Sequence, residues 1–198
     1  MSVAARIEAL PLPLAPPLET ALAAVMRGAP PLLIFRTVAH NPRVLERMLA
    51  GGLLDRGSIP LRLRELMILR STARCGAEYE WGVHAAIYGD KAGFTPAELQ
   101  ASVHGAADAP EWGPQERLVL RLADALHERH DVDDALWTDL RVAFAEDQLI
   151  ELTMLAGLYH AVSYLVNLTR VPREAFAPGF PAAASTKIVM PAKAGIQS

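Results

Sequence analysis

Apolar residues recur along most of this chain with helical spacing. Leu118, Leu122 and Leu126 stand four apart within 114–129, the period of one helix face. Leu63, Leu66, Met67, Ile68 and Leu69 make 61–75 apolar on more than one side, the mark of a buried helix. Further helices are predicted over Leu18–Arg27, Leu32–Ala39, from Asn41-Pro42 to Gly51-Gly52, over 78–89, from Asp133 or Asp134 to Phe144, and over Asp147–Leu168. Thr95-Pro96-Ala97-Glu98 reads as a capping box opening a short helix. Sustained alternation, the strand signal, is almost absent. The expectation is all-α, with around eight helices in one domain.

The ends differ from the middle. Residues 1–17 hold Pro11, Pro13, Pro16 and Pro17 and read as an extended arm. A helical domain is expected over 18–177. From Pro178 the chain is small, polar and irregular; with few large apolar groups to offset ordering, 178–198 is expected to be a disordered tail.

Composition narrows the function classes. Hydrophobic residues make up 52% of the chain and the net charge is −3, so a basic nucleic-acid surface is not expected. Arg62–Arg64 and Arg70–Arg74 lie inside a helical pattern and read as local pairing groups. The apolar stretch near 149–169 carries Glu151, His160 and Asn167, which argues for a buried central helix over a membrane span. Cys75 is the single cysteine, so neither a disulfide within the chain nor a cysteine metal cluster is available, which fits a reducing, cytoplasmic setting. His40, His104, His127 and His130 show no metal-ligand spacing with carboxylates, and no metal or cofactor is expected.

The densest chemistry lies in 64–84. Glu80 and His84, four apart, share one helix face, where a carboxylate orients an imidazole and raises its basicity for proton transfer. Glu65 stands one helix earlier, and a turn at Gly76 can fold it back toward the pair; Tyr79 adds a phenolic donor. The same Glu–His pair would also serve as a surface or interface contact, and Glu65 as an arginine's partner. Trp81 reads as core. In the last helix Tyr159, His160 and Ser163 either line a pocket facing Glu80 and His84 or mark a subunit contact. Cys75, near a predicted helix start, is either a redox thiol or a small buried hydrophobe.

Several segments in order resemble the carboxymuconolactone decarboxylase-like family: Phe35-Arg36-Thr37-Val38-Ala39-His40-Asn41-Pro42, Leu63-Arg64-Glu65-Leu66, Tyr79-Glu80-Trp81 with His84, Ala123-Asp124-Ala125-Leu126-His127, and Leu149-Ile150-Glu151-Leu152 with Tyr159. The resemblance spans about Pro31 to Leu168 and implies a multi-helix alkylhydroperoxidase D-like bundle that forms homo-oligomers, trimers or hexamers. One arm of the family is a thiol peroxidase with Cys-x-x-Cys, a His four residues later and an upstream Glu. Carried over, these fall on Ala77, Glu80, His84 and Glu65, so the acid–base pair is kept and both sulfurs are missing. The other arm decarboxylates a lactone acid without a cofactor. The expected function is therefore a cofactor-free acid/base enzyme on a small carboxylated or lactone-type organic acid, with His84, Glu80, Glu65 and Tyr79 at its centre. A peroxidase using Cys75 and a non-catalytic oligomeric binding protein are the alternatives. The apolar helices 61–75 and 147–168 are expected to supply the subunit interface.

Overall fold

The computed structural model describes residues 4–183. Among them nine helices follow in order: α1 (Pro16–Met26), α2 (Leu33–Val38), α3 (Pro42–Ala50), α4 (Leu61–Arg74), α5 (Glu78–Tyr88), α6 (Pro96–His104), α7 (Pro114–Arg129), α8 (Asp134–Ala143) and α9 (Glu146–Thr169). The described residues are all-α, and each helix falls on a segment the sequence predicts to be helical, from apolar spacing or from its capping residues. Local chemistry sets the starts. The Asn41 side chain accepts from Val44 N, that of Asp133 from Leu136 N, and Thr95 exchanges capping hydrogen bonds with Glu98.

Helix α4 is the axis of the bundle, packed against α5, α6, α7 and α9. Ten consecutive residues, Leu63–Thr72, are buried. This corrects the expectation that 61–75 contributes a subunit interface: its apolar faces are covered within the chain. Helix α9, long and apolar enough by composition to cross a membrane, turns Leu149, Leu152, Leu155, Ala156, Tyr159 and Val166 into the core. Its other face leaves Ile150, Met154, Tyr164 and Leu168 exposed.

Two apolar clusters result. The larger joins α4 and α7 to the first half of α9; the smaller joins α1–α3 to α5 and the last part of α9. Helix α5 stands between them. At about 100° per residue, Trp81 and Ala85 point into the larger cluster, Tyr79 and Val83 into the smaller, and Glu80 and His84 between the two. Gly76, at φ +64°, makes the reversal from α4 into α5 that a side chain would strain.

The ends are more engaged than their composition suggests. Arg6 N donates to Thr169 O and Leu10 N to Arg36 O, and Leu14 is buried, so the arm runs along the body; α1 begins inside the proline segment because proline suits the first helical turn. Residues 178–183 are also placed, against the expectation of disorder from 178: Phe180 N donates to Glu78, Gln100 to Ala182 O, and Phe180 meets the edge of Trp81. Backbone donors and one aromatic ring anchor this stretch where side-chain bulk is lacking. A Cβ at Gly82 would run into Pro178 O, so the glycine lets the segment reach α5. The rest of the expected tail, 184–198, lies outside the described residues.

The charges inside α4 are all paired. Arg70, 2% exposed, makes two bonds to Asp124 and others to Ser102 O and Gly105 O, while Arg74 shares Asp124. Arg62 bridges α6 and α7 through Glu98 and Glu116. Removing one partner of a buried pair strands the other. Asp124→Ala is therefore expected to cost about 3–5 kcal/mol in urea unfolding. Asp139→Ala, in the exposed Arg121–Asp139 pair, should cost less than about 1 kcal/mol.

Candidate active site

The return of α5 along α4 brings Glu65 and His84 into contact. Glu65 Oε2 accepts from His84 Nδ1 at 2.7 Å, while its other oxygen accepts from Arg64 Nε and Nη2 at 2.9 and 2.7 Å. The far ring nitrogen, His84 Nε2, lies 3.0 Å from the Tyr159 hydroxyl and 3.5 Å from Glu80 Oε1. Glu65, His84, Glu80, Tyr159 and Arg64 are all buried. Glu80 Oε2 is buried with no hydrogen-bond partner, so the cluster contains one carboxylate oxygen free to accept a proton or a hydrogen bond.

The electrostatics follow from this arrangement. Burial alone would push the His84 imidazole down, but the hydrogen bonds and charges of Glu65 and Glu80 outweigh it and push the group up to about 9. At neutral pH His84 is an imidazolium. Its Nε2–H donates to the Tyr159 oxygen, which leaves the Tyr159 proton for another acceptor. Burial, then the Glu80 and Glu65 charges, hold Tyr159 well above an ordinary phenol, so it stays protonated. Two carboxylates face one guanidinium and one imidazolium, and the buried charges balance.

Tyr79, expected beside this pair, is elsewhere. Five positions from His84 on a 3.6-residue helix, it points into the smaller apolar cluster, where its hydroxyl donates to Glu174 at 2.8 Å and accepts from Ile34 N at 3.1 Å. It ties α5 to α2 and to the segment after α9. Of the expected pocket residues on α9, only Tyr159 reaches His84. Ser163 donates to Tyr159 O inside the helix. His160 turns to a second group, with Nε2 3.1 Å from His127 Nδ1, which itself lies 3.8 Å from Cys75 Sγ. Cys75 caps the C-terminal end of α4 instead of opening α5. Burial pushes its thiol up, against a smaller opposing effect of the Ser163 hydroxyl. Arg64 is the member of the His84 cluster that the sequence reading left among local pairing groups; its place directly before Glu65 was the available signal.

Arg64 also reaches the surface. Its Nη1 donates to Leu54 O and Asp55 O, and it lines a hollow of 260 Å³ with Leu54, Asp55, Arg56, Gly57, Ile59 and Leu61. Gly57 and Ser58 in this loop pack on Glu151, whose carboxylate accepts from Ser58 N and Oγ. A larger hollow, of 670 Å³, lies between the N-terminal arm and α1, away from these groups.

Residues 41–125, which carry Arg64, Glu65, Glu80 and His84, match the model of the Carboxymuconolactone decarboxylase family. Over this segment, somewhat less than half of its length, the chain resembles the family. Several solved structures share the family's helical fold. One is an uncharacterized peroxidase-related protein from Ralstonia eutropha JMP134, described as an alkylhydroperoxidase AhpD core. It is 20% identical over 87% of this chain and 95% of its own, with a TM-score of 0.72. Another peroxidase-related protein, from Silicibacter sp. TM1040, is 18% identical over 88% and 96%, with a TM-score of 0.73. The debrominase Bmp8, in complex with 2,3,4-tribromopyrrole, is 18% identical over 88% and 95%, with a TM-score of 0.70. A comparison with curated proteins returns no match. At these identities the likeness shows the carboxymuconolactone decarboxylase/AhpD-like fold alone; the named activities belong to those proteins.

The His84 shift links pH to stability. A group raised on folding stabilises fully below its unfolded value, about 6.5, and the contribution is lost as pH rises through about 9. Urea unfolding should therefore show a loss on the order of 3 kcal/mol between pH 6 and 10. NMR should find the His84 ring titrating near 9, and Glu65→Gln should bring it down. A ring titrating at or below 6.5 in the intact protein would remove the imidazolium.

Proposed function

We propose that this chain is a cofactor-free acid/base enzyme that removes carbon dioxide from a small carboxylated or lactone-type organic acid. The observation that carries the reading is the buried Glu65–His84–Tyr159 chain of hydrogen bonds ending beside the unpartnered Glu80 Oε2. This reading takes the hollow at the loop after α3, which shares Arg64 with the cluster, as the way in, and Arg56 at its rim suits a substrate carboxylate despite Asp55 beside it. In the reaction the bond to the carboxylate breaks and its electron pair stays on carbon. The His84 imidazolium delivers one proton to that carbon, so one proton is consumed for each carbon dioxide released. Glu65 holds the ring, Glu80 accepts a hydrogen bond from a substrate hydroxyl, and a proton from solvent restores the imidazolium after carbon dioxide leaves, with Tyr159 passing it to Nε2 and regaining its own. A general acid placed in this way contributes about 10²–10⁴ in rate.

The peroxidase reading through Cys75 has less support. Its thiol is raised by burial and caps a helix C-terminus, where the dipole disfavours a thiolate. A panel of lactone acids followed by carbon dioxide release tests the assignment. His84→Ala and Glu80→Gln should each lose about 10²-fold or more on an accepted substrate, and Cys75→Ser should keep the wild-type rate. Wild-type turnover in His84→Ala would end the proposal. Ligand binding with no turnover anywhere in the panel would favour a binding protein.

Assembly is part of the same proposal. On the outer face of α9, Ile150, Met154, Gly157, Ala161, Tyr164 and Leu168 recur at alternating four- and three-residue steps, the spacing of a helix–helix seam. The four large side chains are 61–65% exposed. A second copy of the chain is the proposed cover, in a homo-oligomer of the trimer or hexamer kind. Light scattering should give a multiple of 21.4 kDa, and Met154→Lys should reduce it toward the monomer. A wild-type mass of one chain, unchanged on dilution and concentration, would refute the seam.

A further inference from the structure

Away from His84, a second polar cluster is assembled by three elements. Cys75 stands at the end of α4, His127 in the last turn of α7 and His160 in the middle of α9. Cys75 Sγ, His127 Nδ1 and His160 Nε2 all lie within 4.8 Å of one another, and all three residues are half-buried. The side chain of His160 is fixed from behind, with Nδ1 2.8 Å from Ala156 O. That contact requires a proton on Nδ1 and leaves Nε2 with its lone pair directed at His127. A backbone carbonyl of this kind is what commonly orients a metal-binding histidine. Asn167 Nδ2 donates to Cys75 O at 2.8 Å and holds the cap residue in place.

We propose that Cys75, His127 and His160 bind one zinc-class d10 cation through Sγ, Nδ1 and Nε2, with a fourth position left for water. Ordinary zinc bond lengths put tetrahedral ligand atoms about 3.4 Å apart for two nitrogens and about 3.6 Å for nitrogen and sulfur. The observed 3.1 and 3.8 Å are near these edges. One thiolate and two imidazoles suit this borderline-soft ion better than magnesium or calcium, which favour oxygen. The nearby Arg74 cation is offset by Asp124, which it pairs with, and by Glu128. Binding forms the sulfur–metal bond as the thiol proton leaves to solvent, with no change of oxidation state. With one cysteine and no metal-ligand spacing among the histidines, no metal is expected from sequence; α4, α7 and α9 bring the three scattered ligands together. The site is separate from the Glu65–His84 chain and does not depend on the proposed decarboxylation.

Cobalt(II), a spectroscopic stand-in for zinc, tests this with the tag-free full chain. One Co²⁺ per chain should bind with a thiolate-to-metal absorption band, and Zn²⁺ should displace it. Cys75→Ser should abolish the band, and His127→Gln and His160→Gln should each weaken binding by about tenfold or more. Zn²⁺ should also slow alkylation of Cys75 in the wild-type protein by about tenfold, a readout that needs no variant to fold. No charge-transfer band, an alkylation rate indifferent to Zn²⁺, or affinity unchanged in folded His160→Gln would each overturn the proposal.

Discussion

A helix covered on all sides cannot send its charges to water. Helix α4 buries Arg64, Glu65 and Arg70 in one run, and an ion left unpaired at such a position costs several kcal/mol. Much of the bundle can be understood as the set of partners those three groups require. Arg70 fixes Asp124 and so the place of α7 beside α4; the carbonyls of Ser102 and Gly105 then set the end of α6. Arg64 takes Leu54 O and Asp55 O, which shapes the loop after α3. Glu65, already paired with its neighbour, uses its second oxygen on His84 of α5.

The reactive cluster is thus an outgrowth of a structural necessity. Pairing consumes both oxygens of Glu65, both ring nitrogens of His84 and most of Arg64's donors. What remains is one oxygen of Glu80, buried and uncommitted. Thr37 Oγ1, Trp112 Nε1 and Arg117 Nε are also buried without a partner, but Glu80 Oε2 is the one beside His84, and there an outside molecule would complete the pattern. It also distinguishes this cluster from the Arg70–Asp124–Arg74 group, where both carboxylate oxygens are bonded within the protein.

Helix positions, caps and the Glu80–His84 pair were legible because each depends on residues three or four apart, and Glu65 was legible through the family resemblance and the turn at Gly76. Tyr79 misled because neighbours in sequence are a hundred degrees apart on a helix: it serves the seam with α2, and the phenol that reaches His84 is Tyr159, 75 residues away. Arg64 was hidden within a run of arginines whose common reading is local pairing. The Cys75–His127–His160 group left no trace in spacing, since 52 and 33 residues separate its contacts. The placed stretch 178–183 escaped a reading based on side-chain bulk because backbone groups and Phe180 do most of the anchoring.

That stretch bears on how the protein is made. Phe180 N is bound by Glu78, 102 positions earlier, and the chain between Ala177 and Gly179 lies where Gly82 has no side chain. During synthesis α4 and α5 can pair as soon as both have left the ribosome, but the cover over the Gly82 face is still untranslated. For the whole of that interval the edge of Trp81 and the first turn of α5 are open to water and to other nascent chains. The helix that carries Glu80 and His84 is therefore fully translated long before the segment that seals it.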